Sequence, residues 1–109
     1  MVAVSAHAQA GNLGFLDKSP LSKFNDKDIE LSQAALGKAL AASEPGQAFD
    51  WENPATGAGG KTTLKQTFER DGRPCRVVTI ANHAKSLKSG GDYTMCKSGE
   101  RWQPAPPPT

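Results

Sequence analysis

The 109-residue chain holds little with which to do chemistry: two cysteines, two histidines and 6% aromatic residues. His7 falls in an Ala-rich opening segment, which leaves His83 alone among Asn82, Lys85 and Lys88, in a polar and solvated setting. One histidine with two cysteines expected to be oxidised makes neither a metal-ligand set nor a Cys–His dyad. No stretch approaches the ~20 apolar residues that a membrane helix requires, so no transmembrane segment is expected. Carboxylates are scattered. Asp50 and Glu52 alternate with Phe49 and Trp51, which is how the exposed face of a half-buried strand reads, and nothing nearby suggests a sugar cleft for a glycosidase pair. No catalytic residue, cofactor site or metal site is expected.

A chain of this length fits one small domain with a modest core. The formal charge of +2 hides an asymmetry. Residues 11–60 carry four lysines against seven acids, a net of −3, whereas residues 61–102 carry nine Lys and Arg against four acids, a net of +5. The first ten residues are small and apolar and finish in Ala8-Gln9-Ala10, the small-x-small form that signal peptidase accepts. Residues 1–10 are therefore expected to be the end of a signal peptide and the protein to be exported. No Cys follows the apolar run, so a lipid anchor is not expected, and the mature form should be soluble.

Residues 11–23 read as an irregular lead-in punctuated by Ser19-Pro20. Asn25 or Asp26 can then cap a helix whose first turn holds Asp28 and Glu30, the acids that a helix dipole favours there. Ile29, Leu36 and Leu40 share a face, Ala39 lies beside them, and Pro45-Gly46 stops the helix after about four turns. From Gln47 the period changes to two. Phe49 and Trp51 point one way along a first strand, Asn53-Pro54 ends it, and Ala55–Gly60 reads as a flexible loop. Lys61–Arg70 alternates with Leu64 and Phe68 inward, and Asp71-Gly72 is a hairpin turn leading into Cys75–Ala81. A polar connection through Gly90-Gly91 precedes Asp92–Lys97, and Ser98–Glu100 turns the chain into Arg101-Trp102. The expected fold class is α+β: one amphipathic helix packed on an antiparallel meander of about four strands, with a disordered Pro-rich tail over residues 103–109.

Cys75 near the start of one strand and Cys96 near the end of a later one face each other if those strands pair antiparallel. A bridge there closes a loop of about 22 residues and contributes roughly 3 kcal/mol on the chain-entropy model. The alternatives are two free buried thiols or a redox pair, and the C-x-x-C spacing typical of redox pairs is absent.

One motif points the wrong way. Residues 55–62 match the relaxed phosphate-loop pattern [AG]-x-x-x-x-G-K-[ST], ending in Lys61 and Thr62. That chemistry needs a buried strand before the loop and a helix N-terminus after it. Here Asn53-Pro54 precedes the loop and a strand pattern follows it, so no nucleotide is expected.

Trp51–Gly57 reads W-E-N-P-A-T-G, Gly59 follows, and Gly72–Arg76 reads G-R-P-C-R; Met95-Cys96 precedes Gly99 and Trp102. Together these resemble the W-x-N-P-x-T-G…G…C-R…C…G-x-W signature of the 17-kDa surface antigen domain, found in proteobacterial envelope proteins that include rickettsial lipoproteins. The resemblance spans residues 24–102, and the A-A-L-x-x-A-L of the helix fits it as well. It implies a periplasmic or surface location in a Gram-negative bacterium and no known catalytic activity. Neither a lipobox Cys nor a Gly-zipper segment of the lipoprotein members is found in these residues. The signature positions Trp51, Asn53, Pro54, Gly57, Arg76, Gly99 and Trp102 also have a plain structural reading, as turn formers and core area.

Three binding roles follow as expectations. The first is a structural or interaction module that binds another envelope protein through an exposed strand edge or the N-terminal segment. The second is a binder of anionic polymer, lipopolysaccharide or nucleic acid, through Lys61, Lys65, Arg70, Arg73, Arg76, Lys97 and Arg101 on the sheet; it fails if these side chains divide between the two faces among acids. The third, an inhibitor of a secreted enzyme, needs Ala55–Gly60 to protrude.

Overall fold

A computed structural model describes residues 20–108. The signal-peptide reading of residues 1–10, His7 and most of the lead-in lie outside the described residues. A single 3-10 turn, Pro20–Lys23, leads into helix α1, Asp26–Ala41. Asn25 is the cap. Its side chain accepts from the Asp28 amide at 2.8 Å while the Asp28 carboxylate accepts from the Asn25 amide at 3.0 Å, a reciprocal capping box. The buried stripe runs through Asp28, Ala35, Ala39 and Leu40. Ile29, expected on that stripe, is 40% exposed. The inward position of the first turn belongs to Asp28, about 100° round the helix from Ile29.

The sheet has five strands rather than about four: β1 Ala48–Asn53, β2 Ala58–Arg70, β3 Arg73–Ala84, β4 Leu87–Ser98 and β5 Arg101–Pro104. They form an antiparallel meander in sequence order. The extra strand arises because Arg101–Pro104 pairs along its whole length with Met95–Ser98. Asp71-Gly72 is a hairpin turn with both φ angles positive, as the sequence predicts. Two glycine pairs expected in loops are in strands instead. Gly59 and Gly60 belong to β2, which leaves Pro54–Gly57 as the whole β1–β2 connection. Gly90 and Gly91 belong to β4, and the β3–β4 turn is Lys85-Ser86, with Lys85 at φ 58°. The tail is also tied down. Gln103 and Pro104 complete β5, the Ala105 amide donates to Thr94 O, and the carbonyls of Pro106 and Pro107 accept from the Arg70 guanidinium.

Directly opposed residues of an antiparallel ladder share a face, so the register sorts every side chain. Helix α1 lies on β1, β2 and part of β3. One core cluster joins Ala39, Leu40 and Ala42 to Leu64 and Val78; a second joins Ala35 to Trp51, Ala58 and Ala84. The register slips between Leu64 and Gln66, a bulge at Lys65 that exchanges the faces of β2. Leu64 therefore faces the helix, whereas Phe68, expected beside it, sits opposite Cys75 on the other face. There Cys75 and Cys96 are directly opposed, with Cα atoms 4.0 Å apart, and form the disulfide.

Candidate functional site

The signature residues gather at the two ends of α1. At its N-terminal end the Asp28 carboxylate, fully buried, accepts from Asn53 Nδ2 at 2.7 Å and Thr56 Oγ1 at 2.9 Å as well as from the Asn25 amide. Burial pushes the Asp28 carboxyl up; the bonds from Asn25, Asn53 and Thr56 outweigh it and hold the group below the ordinary aspartate value. Asn53 Oδ1 takes the Ala55 amide, Thr56 Oγ1 takes the Ala58 amide, and Gly57 adopts φ 77° to close the turn. Trp51, two residues before Asn53 on the same face, is buried against the edge of the Phe24 ring at 5.2 Å.

At the C-terminal end Arg76 Nη1 donates to the carbonyl of Ala42 at 2.6 Å, where the helix leaves an unsatisfied acceptor and a partial negative charge. The same guanidinium lies 5.9 Å from the centroid of the Trp102 ring, and Lys97 Nζ lies 5.7 Å from it. Gly99 at φ 65° makes the β4–β5 turn that brings Trp102 there.

A cleft of about 670 Å³ opens at the Gly59-Gly60 end of the sheet. Asp50 and Glu52 of β1 stand along one side, with Lys61, His83 and Lys88 on the other strands. The glycines are required by their cross-strand neighbours. A Cβ on Gly60 would lie 2.3 Å from Asn82 Oδ1, 2.6 Å from Ala81 O and 2.7 Å from Trp51 Nε1; one on Gly59 would lie 2.9 Å from His83 Cε1. The Gly-Gly-Lys run is thus continuous β-structure under Trp51 and His83, and no helix follows Thr62 to hold an anion. Nor does Ala55–Gly60 protrude, since Ala58 and Gly59 are buried. No three His, Cys, Asp or Glu side chains among the described residues converge as a metal-ligand set.

The seven basic residues expected on one face divide. Arg76 and Lys97 share the helix side with Trp102, whereas Lys61, Arg70, Arg73 and Arg101 fall on the opposite side. Lys65 pairs with Asp92, Lys61 sits opposite Asp50, and Arg70 is occupied by Phe68 and the Pro106 and Pro107 carbonyls. Cations and acids interleave. Asp92 is held below the ordinary aspartate value by its bonds from Lys65 and Thr79.

In the sequence Asp28 reads only as a first-turn acid. The signal that identifies it as the hub is the three-residue spacing from Asn25, an N-cap followed by an N3 carboxylate, read together with the Asn53 and Thr56 side chains that need an acceptor. Compared with known proteins, the chain matches the family described as 17 kDa outer membrane surface antigen over residues 38–103. No curated protein and no solved structure matches it.

Proposed function

Because the chain belongs to the 17 kDa outer membrane surface antigen family, we propose that it is an exported, non-catalytic protein of a Gram-negative envelope that acts by binding another envelope protein. The observation that carries this reading is where the signature residues go. Asn53, Thr56 and Gly57 hold one end of α1, Arg76 and Trp102 hold the other, and Cys75 with Cys96 ties β3 to β4. What the family signature encodes is then a rigid scaffold, and the disulfide suits an oxidising compartment. The charge distribution favours a protein partner over a polyanion, since the cations divide between the two faces, Lys65 pairs with Asp92, Lys61 sits opposite Asp50, and Arg70 and Arg76 are engaged in the fold.

The test is fractionation of cells producing the tagged protein, with thiol labelling before and after reduction, followed by crosslinking and pull-down from the envelope fraction. The expected result is envelope recovery, both cysteines unlabelled until reduced, and crosslinked envelope proteins. Recovery in the cytosol with both thiols reactive, or capture of cytosolic partners alone, overturns the proposal.

A further inference from the structure

We propose that two copies of this chain join edge to edge through β4, in an antiparallel register centred on Gly90, to make one continuous ten-stranded sheet. Strand β5 covers β4 only over Met95–Ser98. One further bond, from the Ala105 amide to Thr94 O at 2.9 Å, extends that cover by a step. Pro106 and Pro107 then leave the edge for Arg70. In a strand the N–H and C=O of one residue point the same way and the direction alternates. Because Thr94 faces outward and the β3–β4 register has no bulge, Lys88, Gly90 and Asp92 face outward too, with no strand among the described residues beside them.

Charge selects the second copy as occupant and fixes the register. In a two-fold pairing centred on Gly90, Gly90 meets Gly90 and Lys88 meets the partner's Asp92, twice. All are outward-facing positions, so six N–H···O=C bonds form, four of them in the two pairs of opposite charge. Centring on Lys88 or Asp92 instead would oppose like charges. The Asp92 carboxylate already accepts from Lys65 and Thr79, and a carboxylate has about four lone-pair directions, so a third donor can be accommodated. On the helix side the pairing sets Leu87 against the partner's Tyr93. Tyr93 is 50% exposed and borders an apolar groove of about 320 Å³ with Leu36, Ile80 and Met95. The opposite edge of the sheet contrasts with this one. The bond from the Leu64 amide to Gln47 O fixes the direction of β1, and its outward positions are Ala48, Asp50 and Glu52. Self-pairing there would oppose Asp50 to Asp50, a charge arrangement that blunts an edge.

Sedimentation equilibrium of the full chain, with amide exchange followed residue by residue, tests the proposal. A dimer is expected, in which the amides of Lys88, Gly90 and Asp92 exchange at least about tenfold more slowly at high than at low protein concentration. The amides of Ser89 and Gly91, already bonded to β3, should not change. Lys88→Glu lies on an exposed position; it should leave the far-UV spectrum unchanged and raise the dimer dissociation constant about tenfold, whereas Lys88→Arg should not. A monomer at all concentrations, a dimer with unchanged exchange at Gly90, an open polymer, or a dimer indifferent to Lys88→Glu would each overturn it.

Discussion

Replacing Asp28 by alanine should destabilise the protein by about 3 kcal/mol, although the residue lies in no cleft. The side chain accepts three bonds, from the Asn25 amide at 3.0 Å, Asn53 Nδ2 at 2.7 Å and Thr56 Oγ1 at 2.9 Å. A hydrogen bond to a charged group contributes about 1.5–3 kcal/mol, and its loss is felt most where the abandoned donor stays buried. Asn53 is such a donor, at 7% exposure, whereas the Asn25 amide lies nearer solvent and rehydrates. The relief of no longer burying a charge offsets part of the sum, which leaves roughly 3 kcal/mol out of the ~5–10 kcal/mol typical of a small domain. Asp28→Asn keeps the shape and one acceptor but turns an NH2 toward the Asn25 amide, and should cost about 1–2 kcal/mol. Urea denaturation followed by the fluorescence of buried Trp51 measures both. The acid limb is a separate test. The folded Asp28 carboxyl titrates below its unfolded value, so its contribution is complete above the unfolded value near pH 4 and is lost as pH falls through the folded one. Asp28→Asn should flatten the loss of stability below about pH 4. An alanine variant within about 0.5 kcal/mol of the parent, or an acid limb unchanged in Asp28→Asn, would refute the hub.

Four other outcomes follow from the same geometry. Replacing Cys75 and Cys96 together by alanine should lower unfolding free energy by roughly 3 kcal/mol, read from the midpoint and slope of the urea transition together. Gly60→Ala should destabilise by about 2 kcal/mol or more because its Cβ meets backbone at 2.6 Å, whereas Gly37→Ala, with nothing within 4 Å, should stabilise α1 by about 0.5–1 kcal/mol. Arg76→Leu, which keeps the stem but loses the bond to Ala42 O and the contact with Trp102, should cost about 1–2 kcal/mol by thermal denaturation.

The helix, the disulfide partners and the Asp71-Gly72 turn were legible because each has a local cause: a cap with periodic apolar residues, two cysteines near strand ends, two adjacent residues at positive φ. The errors share a different cause. Glycine read as loop at residues 59–60 and 90–91, but cross-strand crowding by Trp51, Asn82 and His83 decides the first pair, and such neighbours are distant in sequence. The β3–β4 turn escaped notice because Lys85, a residue that rarely takes positive φ, occupies it. Phe68 reads as inward beside Leu64 but lies on the other face, because a bulge at Lys65 leaves no mark in the alternation of β2 until the register with β3 is known. The tail carries four prolines, which favour a disordered reading, yet Gln103 and Arg101 direct their backbone groups to β4 while Pro104, which lacks an amide hydrogen, faces away. Its order comes from Arg70, thirty-six residues away.

The placement of the signature residues also bears on where function lies. A helix packed on a sheet can slide or tilt, because apolar contacts are non-directional. Here α1 is pinned at its first turn by Asp28 to Asn53 and Thr56, and at its last by Ala42 O to Arg76, with directional bonds at both ends. Those bonds fix the angle of the helix across β1–β3 and hence which part of the sheet it leaves uncovered: the β4 edge, with Tyr93 and the groove beside Leu36. Replacing a residue that pins α1 costs stability, whereas Lys88, Tyr93, Asp50 and Glu52 hold neither end of the helix. Substitutions on the surfaces built from these last residues, outside the signature, therefore leave both ends of α1 pinned and separate a loss of binding from a loss of the fold.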